Sequence, residues 1–268
     1  MSSVCDLTEL TGLRWQCADL LCHSGHSRPE SAPQPAARLP PDEEFARIAP
    51  HLEAVTLPRP TVLDMPDVDI YHVYFPTSGI ASILAIGVNG ETVDTTMIGR
   101  EGMTGLAVFL GTGQMPVQTM VQVTLTGYRL PALELRAELA RGGSLINLLQ
   151  RYTQVMMVSM AQLILCNRAH RLDDRAARWL LQVDERVEEA PFDVTQEFLA
   201  EMIGVQRPSV SLAVSQFRDE GLIKYSRGRV TVANREGLLA RACGCIRIIH
   251  AEEARLRRTW ERHDPSAR

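Results

Sequence analysis

Lysine is almost missing from this sequence: Lys224 is the only one, so arginine carries nearly all of the positive charge. No apolar run approaches the roughly 18 uninterrupted residues that a membrane span requires, because Arg, Gln or Gly breaks each one earlier. The N-terminus has no basic stretch followed by an apolar block, which excludes a secretory signal pattern. The expectation is a cytoplasmic protein with no membrane partner. Six cysteines in 268 residues (Cys5, Cys17, Cys22, Cys166, Cys243 and Cys245) do not form a secreted disulfide framework, and a chain of this length needs none. Reduced thiols are expected. Also absent are a Walker-type phosphate loop, a nucleophile with a matched base and paired carboxylates in a cleft signature, so no enzyme is expected. The net charge of −4 excludes a uniformly basic nucleic-acid binder, though it leaves room for a local basic patch.

What the sequence does contain changes character along its length. Residues 1–40 end in PESAPQPAARLPP, which cannot propagate a helix or strand, and are expected to be a disordered extension. Within them Cys17, Cys22, His23 and His26 are residue types that bind zinc, but no hydrophobic framework orients them; no metal and no cofactor is expected. A domain is expected over 41–141. It opens with a short helix from Pro41 to Pro50, followed by clusters of β-branched and aromatic residues punctuated by Gly, Pro, Asn and Asp. VYFPTSGIASILAIG leads into the turn VNGE, where Asn89-Gly90 supplies positive φ angles, and MVQVTLTGYRLP reads as a further strand pair. These short strands predict an antiparallel roll of the jelly-roll kind over about 52–131.

Past Pro131 the period becomes helical. Gly142-Gly143 interrupts it, and Ser144 is placed to cap a long helix within 142–169. Leu145, Leu148, Leu149, Tyr152, Val155, Met156, Ser159 and Leu163, with Cys166, share one stripe of that helix. The stripe can pack on the roll of the same chain or pair with the same helix of a second subunit. Pairing in a homodimer is the favoured expectation, because the helix is long and carries only Arg151 before Arg168. A further helix starts at His170, which is read as a capping or core histidine.

A winged helix-turn-helix is expected within 170–240, ahead of a helical tail over 241–268. Thr195 can cap a short helix with Phe198, Leu199 and Met202 facing inward, and Gly204 supplies the left-handed turn. A second helix starts near Arg207-Pro208 and buries Val210, Val214 and Phe217. Its other face offers Gln206, Arg207, Ser209 and Ser211 as base-reading residues, with Leu212 beside them. LIKYSRGRVTVA then forms a hairpin turning at Arg227-Gly228. Thr195, Gln196, Lys224, Arg227 and Arg229 are expected on phosphates. Six basic residues against four acidic ones between Thr195 and Arg235 reverse the sign of the chain locally. At the level of the motif alone, a winged helix that binds protein or RNA stays open. Cys243 and Cys245 point in different directions on any helix and are read as packing residues.

CNRAHRLDDRAARWLL (166–181), TQEFLAEMIGVQRPSVSLAV, GLIKYSRGRVTV and IGREGMTG (98–105), in that architectural order, resemble the Crp/Fnr superfamily of transcription regulators over about residues 41–247. The resemblance implies an α+β chain: an N-terminal antiparallel β-roll like that of cyclic-nucleotide-binding domains, a long dimerisation helix, and a C-terminal winged helix-turn-helix. It implies a homodimer on double-stranded DNA, contacting RNA polymerase if it activates, and it places Arg207 at the base-contacting position. Pro208 and Leu212 depart from the residues usual there, so the family's familiar operator does not transfer. Met115-Pro116 stands where cyclic-nucleotide binders carry an arginine, so cyclic AMP is not expected and the small-molecule effector stays unidentified. IGREGMTG is read as a structural turn. Cys5, Cys17 and Cys22 are not spaced for the iron–sulfur cluster of some members. The alternative reading is a ligand-sensing roll with weak or vestigial DNA binding.

Overall fold

The computed structural model describes residues 42–188 and 190–262. The N-terminal extension, with Cys5, Cys17, Cys22, His23 and His26, lies outside the described residues.

Helix α1 (Asp42–Ile48) and a 3-10 turn lead into β1 (Glu53–Leu57), β2 (Thr61–Asp64), β3 (His72–Ile86) and β4 (Thr92–Ile98). The short helix α2 (Leu106–Phe109) precedes β5 (Val117–Pro131). The strands pair antiparallel in the order β1-β5-β3-β4, with β2 also on β5. MVQVTLTGYRLP is therefore not a strand pair. It belongs to one strand of 15 residues, β5, which faces β3, itself 15 residues long. What looked like punctuation within these strands is close approach: a Cβ at Gly79 would collide with the Thr124 carbonyl, and one at Gly127 with that of Phe75. Register shifts between Pro76 and Ala81 bend the pair there, as bulges do. The β3–β4 turn also differs in detail, since only Gly90 takes a positive φ while Asn89 donates to the Glu91 carboxylate.

Helix α3 (Ala132–Ala140) precedes the long helix α4 (Ser144–Ala169). Ser144 is the first residue of α4 rather than its cap. The Glu44 carboxylate caps instead, accepting from the amides of Ser144 (2.9 Å) and Leu145 (3.0 Å). A carboxylate there satisfies free N–H groups and meets the positive end of the helix dipole. The expected pairing stripe is largely spent inside the chain. Leu145, Leu149, Tyr152 and Met156 lie in the core of the roll, with Leu148 packed against it. Val155 is buried as well, and Ser159 and Leu163 are half-buried. The long strands explain this, because a roll with two 15-residue strands offers enough sheet to cover several turns of helix. Apolar surface remains at Met157 (66 % exposed), Ile164 (73 %) and Leu165 (48 %), off that stripe.

Helix α5 (Leu172–Asp184) and β6 (Phe192–Asp193) lead to α6 (Gln196–Met202), α7 (Arg207–Asp219), β7 (Ile223–Ser226), β8 (Arg229–Val232) and α8 (Arg235–Arg241). The last helix, α9 (Cys245–Arg262), packs along α4, and Gln154 donates to Glu252 at 2.5 Å. Among the described residues no helix is long and apolar enough to cross a membrane.

Candidate nucleic-acid interface

Thr195 has the capping role its sequence implies: its side-chain oxygen accepts from the Phe198 amide at 3.2 Å. Phe198 and Leu199 then face inward, with Phe198 edge-on to Trp179 at 5.7 Å between ring centroids. Gly204 turns the chain at φ 64°, and the Val205 amide returns to the Ala200 carbonyl. The turn fixes α7 against α6 through the buried Val210, Val214 and Phe217. Amphipathic packing of this kind leaves the opposite face of α7 to solvent.

Gln206, Arg207, Pro208 and Ser209 are exposed at the N-terminal end of α7, and Leu212 stands out at 75 % exposure. Arg207 Nε lies 2.7 Å from Glu197 Oε1 on α6, in an ion pair open to water on both sides. Ser211 is placed differently from its neighbours. Its hydroxyl donates to Gln196 Oε1 at 2.6 Å, so it ties α7 to α6, and with it one of the expected phosphate-facing residues.

The wing turns as the sequence implies, with φ 50° at Arg227 and 77° at Gly228. β8 pairs with β7 on one side and with β6 on the other, a third strand that two residues gave no means of foreseeing. Lys224 and Arg227 are exposed on this sheet. Arg229 is engaged at home, with Nε 3.3 Å from Asp193 Oδ1 and Nη2 donating to the Pro191 carbonyl.

This unit is packed onto the roll. Ile80 and Val123 of the roll join Trp179 and Phe198 in one buried cluster, and the Arg59 guanidinium lies 3.6 Å from the centre of the Phe198 ring. IGREGMTG is the docking point rather than only a turn. Glu101 accepts from the Gly99 amide and from Arg186 Nε (2.8 Å), and the missing Cβ of Gly99 makes room for the Arg186 stem. Gly79 donates to the Arg186 carbonyl at 3.0 Å.

Inside the roll is a cavity of about 40 Å³, lined by Asp64, Ile83, Ile98, Met103, Met115 and Met156 among others. Burial raises the Asp64 carboxyl above its ordinary range, against a hydrogen bond with Thr119. The lining contains no basic side chain.

Residues 174–241 match the Crp-like helix-turn-helix domain family. No curated protein matches the chain. Among solved structures, FixK2 from Bradyrhizobium japonicum superposes with a TM-score of 0.61 at 14 % identity, covering 72 % of this chain and 98 % of its own. The c-di-GMP-responsive global regulator CLP of Xanthomonas campestris gives 0.54 at 14 % identity, covering 71 % and 98 %. A Crp/Fnr-family transcriptional regulator of Thermus thermophilus gives 0.53 at 21 % identity, again covering 71 % and 98 %.

Proposed function

Because the chain has the fold of the Crp/Fnr transcription regulators and carries their helix-turn-helix domain, we propose that it binds a near-palindromic DNA site as a homodimer, with one α7 in each of two successive major grooves. The observation that carries this reading is the solvent-facing N-terminal end of α7, where Arg207 stands exposed beside Gln206 and Ser209. Arginine reads guanine through its O6 and N7 in bidentate geometry. The pair with Glu197 is exposed on both sides, and such a pair costs under about 1 kcal/mol to exchange for a base. Leu212 offers an apolar contact to a thymine methyl. Lys224 and Arg227 on the wing neutralise phosphates and fix the register.

The dimer contact on this reading runs along α4 through Met157, Ile164 and Leu165, the apolar residues its own chain leaves uncovered. RNA polymerase is a further partner if the protein activates. In the roll, a 40 Å³ cavity has room for little more than water, and no cation there meets a cyclic phosphate. This cavity is therefore not built for a cyclic nucleotide.

The test is selection of duplexes from a randomised pool with the full chain, followed by titration of variants on the selected site. Arg207→Ala is expected to relax preference at one position per half-site and to cost about 1–3 kcal/mol there. Lys224→Ala with Arg227→Ala is expected to weaken all sequences alike and to lower the salt slope by about 0.9 for each phosphate no longer neutralised. If the pool converges on no sequence, or Arg207→Ala weakens every sequence equally, the reading fails.

A further inference from the structure

The cysteines and the histidine that sequence patterns assign to packing and capping meet in one place. Cys166 lies in the last turn of α4, and His170 follows four residues later, where the chain leaves that helix. Cys243 sits in the link between α8 and α9, not on a helix, and Cys245 opens α9. With Gly244 between them, the two thiols converge instead of diverging. The ligand-capable atoms of all four residues lie within 4.8 Å of one another. Cys166 Sγ is 3.4 Å from Cys243 Sγ, and Cys245 Sγ is 3.5 Å from His170 Nδ1. The three cysteines are buried and form a cluster separate from both hydrophobic cores.

We propose that Cys166, His170, Cys243 and Cys245 form a structural zinc site that clamps the end of α4 to the start of α9. A tetrahedral Zn²⁺ with sulfur ligands about 2.3 Å away separates those sulfurs by about 3.8 Å, close to the spacing found. Three thiolates and one imidazole are soft donors suited to Zn²⁺ and unsuited to Mg²⁺ or Ca²⁺. All four tetrahedral positions come from protein, with none left for substrate, which marks a structural rather than a catalytic site. The charge is also provided for. Three thiolates with Zn²⁺ leave one negative charge, and Arg175 and Arg178 stand near enough to act on the sulfurs. The Cys243 amide donates to the Asp174 carbonyl at 3.3 Å, so the first turn of α5 supports the Cys243–Cys245 loop. The site therefore joins the long helix, the helix-turn-helix unit and the C-terminal helix at one point.

Metal analysis of the full chain, purified under reducing conditions and reconstituted with zinc, tests this directly. About one Zn²⁺ per chain is expected, and Co²⁺ in its place should show thiolate charge-transfer absorption and the intensity of a tetrahedral site. A chain with Cys5→Ser, Cys17→Ser and Cys22→Ser should keep its zinc. Cys245→Ser and His170→Ala should each weaken zinc binding by tenfold or more while the far-UV circular dichroism stays that of the wild type. Wild-type chain holding less than about 0.1 zinc per chain after reconstitution overturns the proposal. So does zinc that survives Cys245→Ser but disappears with the three N-terminal cysteines, and so does a Cys166–Cys243 disulfide persisting under reducing conditions.

Discussion

Replacing Arg186 by methionine is expected to destabilise the chain by about 3–5 kcal/mol in urea unfolding, the cost of breaking a buried charge network by removing one partner. Arg186 is 6 % exposed and its guanidinium serves three parts of the molecule. Nε meets Glu101 of the roll at 2.8 Å, Nη2 meets Glu253 of α9 at 3.2 Å, and Nη1 donates to the Gln182 carbonyl at 3.0 Å. Burial opposes the charge, but the surrounding carboxylates outweigh it and hold Arg186 protonated above its ordinary value. Methionine fills the volume and leaves Glu101 and Glu253 facing each other without a cation. Glu253 is already raised by burial. Adding Glu253→Gln to Arg186→Met should therefore restore part of the loss, as coupled neighbours do. Arg171→Ala, which removes only an exposed pair with Asp173, should cost under about 1 kcal/mol. A loss for Arg186→Met as small as that of Arg171→Ala would mean that the network does not hold the roll to the helix-turn-helix unit.

Asp94→Asn is expected to change the pH dependence of stability. Burial between the roll and α5 pushes the Asp94 carboxyl from the ordinary 3.8 up to about 7, and the charge of Arg178 only partly offsets this. The folded chain thus holds Asp94 protonated at a pH where the unfolded chain has released the proton. Its contribution to stability is present in full below 3.8 and is lost as pH rises through about 7. Across that window the loss amounts to about 4 kcal/mol at most. Asparagine copies the neutral acid, so Asp94→Asn should unfold at higher urea than wild type near pH 8 and nearly with it near pH 4. Parallel curves for the two proteins over this range would show that Asp94 titrates normally.

The parts legible in the sequence are those whose signals are local. Thr195, Gly204 and the Arg227-Gly228 turn each require a particular backbone geometry within a few residues, and the structure shows that geometry at each. Parts assembled from distant segments were not legible in the same way. Gly127 reads as a break because glycine usually ends a strand, whereas here it admits a neighbouring carbonyl and lets β5 continue. The cap of α4 comes from Glu44, a hundred residues earlier in the chain, and no spacing rule reaches that far. The stripe of α4 was visible, but its partner was not, because periodicity shows that a face is buried without showing against what. Arg186 and Cys243 carry little meaning until Glu101 and Cys166 arrive beside them. The one signal that could have found the cysteine cluster was Cys166 four residues before His170, which puts both side chains on one face at a helix end.

Whether α7 reads DNA sequence is tested most directly by the ratio of two dissociation constants. The full-length chain is titrated by fluorescence anisotropy, at one fixed salt concentration, on its selected duplex and on a scrambled duplex of the same composition. Tighter binding to the selected site by about 10³-fold or more is expected, with two chains per duplex. Equal affinities for the two duplexes would contradict sequence reading by α7.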